Sequence, residues 1–177
     1  HGHSDMEIVS IPLSGSLAHK DSTGRSETIL SGDVQIMSAG TGIMHSEFNP
    51  DNAKEVNFLQ IWVLPEKRGI APRYGQISFD LEAKRNAFVK VVSWQESKEV
   101  LWINQRAEFS QGVFDPGAKV QLQPSAANAG IYLFVIKGSV EVAGETLQNR
   151  DAIGITGAEA IDISVNEDSR LLAIEVP

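Results

Sequence analysis

The sequence predicts an all-β protein, a sandwich or barrel assembled from many short strands. Helical periodicity is nearly absent. Short runs rich in β-branched and aromatic residues recur along the chain with glycine turns between them, the pattern of an all-β sandwich or barrel. An internal echo adds duplication. Pro12-Leu13-Ser14-Gly15-Ser16-Leu17 parallels Val135-Ile136-Lys137-Gly138-Ser139-Val140, and Ser31-Gly32-Asp33-Val34-Gln35-Ile36 parallels Asn149-Arg150-Asp151-Ala152-Ile153-Gly154. In both copies a strand, a Gly turn, a second strand and an Asp-containing turn follow in the same order, which points to a repeated β unit.

Taken in order, Glu7–Leu13 reads as a strand ending near Pro12, and Gly15 turns the chain into Ser16–His19. Asp21-Ser22-Thr23-Gly24 is turn chemistry: a side-chain acceptor, hydroxyls and a glycine free to take positive φ. Glu27–Leu30 is a short strand, Ser31-Gly32-Asp33 a turn, and Val34–Ser38 extended; Ala39-Gly40-Thr41-Gly42 then bends the chain so that Ile43–Glu47 runs back. Asn49–Asn52 is loop. Val56–Leu64 is a nearly continuous apolar run and predicts a buried strand. Charge, proline and glycine in Pro65–Tyr74 mark a candidate linker between halves. Later strands are predicted at Ala87–Val92, Val100–Ile103, Ala107–Phe114, Lys119–Leu122, Ile131–Lys137, Ser139–Val142, Ala152–Ile155, Ile161–Val165 and Leu171–Val176.

A chain of 177 residues is long enough for one domain or two small ones. Its net charge of -8 disfavours nucleic-acid backbone binding as the main activity. No apolar run reaches membrane-spanning length. With no cysteine there are no disulfides, thiolate metal sites or cysteine nucleophiles, a composition that fits a cytoplasmic protein. The first residue is not Met, and the expectation is that something upstream has been removed, cleaved or left out.

The chemistry-bearing residues are concentrated at the start. All four histidines, His1, His3, His19 and His45, fall within the first 45 residues. Side chains alternate faces along a strand, so His1 and His3 point one way, as do His45 and Glu47. If the two strands are neighbours, three imidazoles and one carboxylate converge. Such a set suits a mononuclear transition-metal site with positions left open for water, oxygen or substrate. The bland readings are a chance His-x-His and the residue of a purification tag. No histidine follows residue 45, so a second copy of the unit cannot build an imidazole site, and the chemistry belongs to the first.

The segments HGHSDMEIVSIPLSG, HKDSTG, SGDVQIMSAGTGIMHSE and FLQIWVLPEKRGIAPRY resemble, in order and spacing, the pirin family of the cupin superfamily, in particular bacterial pirin-like proteins described as quercetin 2,3-dioxygenases. YLFVIKGSVEVAGE, NRDAIGIT and LLAIEVP resemble that family's C-terminal cupin. The resemblance implies a bicupin, two jelly-roll β-barrels facing each other, with metal in the first. It divides the chain into an N-terminal metal-binding cupin over 1–64, a linker with bridging strands over 65–106, and a metal-free C-terminal cupin over 107–177. Family members carry further strands before the H-x-H element, so the first barrel is expected to be incomplete in this chain.

The resemblance also implies the ligands, His1, His3, His45 and Glu47, and the reaction. That reaction is metal-dependent dioxygenation of a flavonol such as quercetin with O2, Glu47 taking the substrate's hydroxyl proton. Iron(II) is the expected metal by analogy; Zn, Ni, Mn, Co or Cu would suit the same donors. His19 is expected to be a turn histidine paired with Asp21 or solvent, the alternative being a role in supporting a ligand. Met6, Met37, Met44, Phe48 and Trp62 are candidates for lining an aromatic pocket, though any of them is more often ordinary core. Two rival readings differ in class. One is a metal-binding, pirin-like regulator whose surface contacts a protein partner. The other is copper chelated by the amine and ring of an N-terminal His1.

Overall fold

The computed structural model describes residues 1–125 and 129–177. The chain divides into two compact units, His1–Phe79 with Trp94–Gln105, and Asp80–Ser93 with Arg106–Pro177. Both are built from antiparallel strands. Among the described residues the only helical element is a single 3-10 turn at Glu82–Lys84.

The first unit contains β1 (Gly2–His3), β2 (Glu7–Ser14), β3 (Ser16–Asp21), β4 (Ser26–Leu30), β5 (Asp33–Ser38), β6 (Ile43–Phe48), β7 (Asn57–Val63) and β8 (Arg73–Ser78). They form two four-stranded sheets, ordered β1-β6-β3-β4 and β7-β2-β5-β8. The second unit contains β9 (Val89–Ser93), and the first takes back a short β10 (Leu101–Trp102). The second unit then continues with β11 (Glu108–Phe114), β12 (Lys119–Leu122), β13 (Gly130–Lys137), β14 (Val140–Val142), β15 (Glu145–Leu147), β16 (Ala152–Thr156), β17 (Ile161–Val165) and β18 (Ser169–Val176). One of its sheets is ordered β12-β17-β14-β15, and the other runs β9-β11-β18-β13-β16.

The echo in the sequence is an echo in the fold. β12-β17-β14-β15 repeats the order β1-β6-β3-β4, with β13 and β16 standing for β2 and β5. Each long strand of the pair, β2 and β13, carries one register shift, between Pro12 and Ser14 and between Val135 and Lys137. Each then turns on a glycine with positive φ, Gly15 at 73° and Gly138 at 94°. A Cβ at Gly15 would lie 2.4 Å from the Glu55 carbonyl oxygen, and one at Gly138 2.1 Å from Ser169 Oγ. Only glycine meets both demands. The aspartates correspond as well: Asp33 Oδ2 accepts the Leu30 amide at 2.9 Å, and Asp151 Oδ2 accepts the Gln148 amide at 2.9 Å. Each carboxylate closes its turn by satisfying an amide that the strands leave over.

The fillings differ. The second unit has an apolar core that includes Phe114, Ile131, Leu133, Val142, Ile161, Ile163 and Leu171. In the first unit Ile8, Met37, Ala39 and Ile43 form a smaller buried cluster against Met6. The interior positions beside that cluster hold polar groups, among them Ser10, His19, Gln35 and His45, all buried. Burying polar atoms without partners is costly, so such a choice calls for a chemical reason.

Three expectations need correction. Val56–Leu64 is not a buried strand: Trp62 is 55% and Leu64 71% exposed. The strand there, β7, is the edge of its sheet and pairs with β2 on one side, so its apolar run is only half covered. β8 was not among the expected strands, because Arg73-Tyr74-Gly75-Gln76 lacks apolar alternation. His19 is not a turn residue; it lies within β3, fully buried, although its pairing with Asp21 is as expected.

Candidate metal centre

The register of three strands assembles the site. β1 pairs with β6 so that His3 faces Ile43 and Gly2 faces Met44. β6 pairs on its other side with β3, placing Asp21 opposite His45 and His19 opposite Glu47. Alternation then puts His1, His3, His45, Glu47, His19 and Asp21 on one face of this sheet. Both elements of the sequence expectation, neighbouring strands and a shared face, are therefore present.

The imidazoles of His1, His3 and His45 cluster edge to face, with ring centroids 4.7, 4.5 and 4.9 Å apart. His1 Nε2 lies 3.0 Å from His45 Nε2. Two nitrogens bound to one tetrahedral zinc-like ion would stand about 3.4 Å apart, so little adjustment separates the two arrangements. Trp62 closes one side, its ring 5.1 Å from that of His3. His45 is buried, and desolvation, followed by the fields of His3, His19 and the amino terminus, depresses its pKa to about 4. It is thus a neutral imidazole near pH 7, the form that ligates metals.

Donor atoms fall into two overlapping triads. Those of His1, His3 and His45 lie within 4.8 Å of one another, and so do those of His19, His45 and Glu47. His45 is common to both. Glu47 is held from across the unit: Ser10 Oγ donates to Oε1 at 3.2 Å, and Gln60 Nε2 donates to Oε2. Ser10 sits on β2 and Gln60 on β7, so the opposite sheet aims the carboxylate. The buried Nδ1 atoms of His19 and His45 have no hydrogen-bond partner among the described residues. Imidazoles grouped with a carboxylate fit a divalent transition metal, and buried ring nitrogens left without a partner call for a role beyond packing.

Sequence reasoning missed Ser10, Gln60 and the burial of His19. A usable signal existed for the first two. Each is a polar residue inside an otherwise apolar strand, Ser10 in EIVSIPLS and Gln60 in NFLQIWV. Behind His19, Tyr74 packs with its ring 5.1 Å away and donates its hydroxyl to Gln76 at 2.7 Å. Burial pushes the pKa of that hydroxyl far up, so Tyr74 stays protonated.

The second unit shows what replaces these donors. Matching Gly15 with Gly138 brings His19 onto Val142, and the cross-strand register then brings Glu47 onto Ile163 and His45 onto Ile161. Ile161 faces Leu122, as His45 faces His1. Every counterpart is a hydrocarbon, which is the physical reason that only one unit can bind a metal through imidazoles.

Two family models match the chain. One described as "Pirin" matches residues 1–63, and one described as "Quercetinase C-terminal cupin domain" matches residues 90–176. The chain is 35% identical over 177 residues to a quercetin 2,3-dioxygenase of Escherichia coli strain K12, spanning 100% of this chain and 75% of that protein. Its backbone is similar to the crystal structure of YhhW from Escherichia coli, with TM-score 0.94 and 36% identity, covering 100% of this chain and 74% of that one. A structure of bacterial pirin YhhW in complex with nickel(II) is similar with TM-score 0.93 and 34% identity, covering 100% of this chain and 75% of that one.

Proposed function

The chain belongs to the pirin family of cupin proteins, and from that premise we propose that it is a metal-dependent dioxygenase acting on flavonol-like aromatic substrates such as quercetin. His1, His3, His45 and Glu47 hold one divalent ion. The observation that carries this reading is the convergence of the His1, His3 and His45 imidazoles, with a carboxylate of the same strand as His45 aimed by Ser10 and Gln60. The nickel-bound relative supports a divalent metal. Iron(II) is the assignment we make for this chain.

The bound ion would supply Lewis acidity and a template for substrate and dioxygen. The protein's own groups do the rest. Glu47 takes the proton of the substrate's 3-hydroxyl onto a carboxylate oxygen, while Ser10 and Gln60 keep that carboxylate from swinging away. Trp62, half-exposed and edge-on to His3, offers an aromatic wall for a flat ring system. His45 stays neutral, so its lone pair is available near pH 7.

The test is protein loaded with iron(II) or nickel(II), its metal content measured, then mixed with quercetin under oxygen. Loss of the flavonol absorbance with release of carbon monoxide is expected. An inert mixture with metal confirmed bound would overturn the dioxygenase reading and leave a metal-binding regulatory protein in its place.

A further inference from the structure

The donor set just described leaves His19 without a task, yet His19 has the architecture of a ligand. A metal-bound imidazole ordinarily donates its other ring N–H to a carboxylate, which fixes both tautomer and orientation. His19 Nε2 lies 2.9 Å from Asp21 Oδ2. Asp21 is itself anchored, its Oδ1 accepting the amides of Thr23 at 2.9 Å and Arg25 at 3.4 Å together with the Thr23 hydroxyl. An ionised carboxylate only accepts hydrogen bonds, so Nε2 carries a proton, and it is in the neutral ring that Nδ1 offers a lone pair. That Nδ1 is fully buried and has no hydrogen-bond partner among the described residues. Leaving such an acceptor unsatisfied is costly. Across the strand pair from His19 stands Glu47, and one ring nitrogen each of His19 and His45 lies with a carboxylate oxygen of Glu47 within a mutual 4.8 Å.

We propose that His19 Nδ1, His45 and Glu47 form a second, inner seat for a divalent transition-metal ion. The set is two imidazoles and one carboxylate, a combination that binds such ions while leaving coordination positions free. Because His45 and Glu47 serve both seats, one ion occupies either the outer seat, with His1 and His3, or the inner one, with His19. The inference rests on the reading that His45 and Glu47 bind metal, and adds His19 to it. Of the outer donors, His3 lies on the short β1 and His1 just before it, and the two are half-buried and exposed, whereas His19 is locked in β3 behind Asp21. The inner seat is thus the more rigid of the two.

The experiment removes the outer donors together. The His1→Ala, His3→Ala double variant, titrated with Zn(II), is expected to bind one equivalent. Nitrogen NMR of histidine-labelled protein is expected to show the His19 Nδ1 signal moving on loading while Nε2 keeps its proton. Adding His19→Ala is expected to weaken Zn(II) binding by at least about 100-fold, the upper end of what losing a mere supporting partner costs. The NMR arm leaves His19 intact, so it decides the matter even if the His19 variant folds poorly. A double variant that binds no Zn(II), or binds it with His19 Nδ1 unmoved, overturns the inner seat. Failure of the unmodified chain to bind Zn(II) at all would overturn the dioxygenase reading as well, so the two outcomes are separable.

Discussion

His1 and His45 are joined at two levels. Their backbones exchange hydrogen bonds, His45 N to His1 O at 2.9 Å and His1 N to His45 O at 3.1 Å, and their ring Nε2 atoms face each other at 3.0 Å. The strand ladder therefore sets the distance between two donors directly. A slip of one residue would send His1 and His3 to the other face and dismantle the cluster.

His45 belongs to both triads, so His45→Ala is expected to remove most bound metal. Glu47→Gln keeps the size and one oxygen donor but cannot take a proton. It is expected to retain much of the metal and to lose flavonol turnover by about 100- to 10,000-fold, the usual reach of general-base catalysis. Metal content and flavonol decay on the same samples check both. Normal turnover by Glu47→Gln would remove Glu47 from its role as base.

Ser10→Ala and Gln60→Leu each take one donor from the Glu47 carboxylate. Each is expected to lower turnover by about 10- to 100-fold with the fold unchanged, as partners that orient a ligand do. Together they should lose less than the product of the single effects, because they share one carboxylate. A fully multiplicative pair would show that they act on different groups.

The folded chain holds the His45 pKa near 4, against 6.5 for an unperturbed histidine. Between those values the unfolded chain binds a proton that the folded chain refuses, so metal-free protein loses stability as pH falls from about 6.5 to about 4. At one pKa unit per 1.36 kcal/mol, the loss attributable to His45 is at most about 3 kcal/mol. Denaturant midpoints measured across that window should drop, and the drop should shrink in His45→Gln. Equal pH dependence in the two proteins would assign the effect elsewhere.

Gly15→Ala and Gly138→Ala force a side chain into positive φ and into close approach with Glu55 and Ser169 respectively. The conformational part alone is expected to cost about 1–3 kcal/mol at each position. Gly24, with φ of 91° and no atom within 4 Å of an added Cβ, is the control. Its alanine variant should lose less in equilibrium unfolding than either of the other two.

The site was legible where its signal was local. His1 with His3, and His45 with Glu47, are each two residues apart, and strand alternation is enough to align such pairs. The duplication was legible because a glycine with positive φ and an aspartate closing a turn have few substitutes. What escaped was contact between strands distant in sequence. Ser10 reaches Glu47 from 37 residues away, and nothing in a single sequence announces that pairing. The exposure of Trp62 escaped for a related reason. An apolar run reports preference for burial, while its place at a sheet edge is decided by which neighbours the topology supplies. His19 was placed in the turn because Asp21-Ser22-Thr23-Gly24 follows so closely. The turn is real, but β3 runs to its first residue.

Leu122, Ile161 and Ile163 stand in the second unit where His1, His45 and Glu47 stand in the first. Each molecule thus carries its own blank. An environmental change that loosens both frames alike speaks of β architecture in general, whereas one registered by the histidine-bearing frame alone speaks of coordination. A signal from each half of the same chain, read in one sample, separates the two without recourse to any variant.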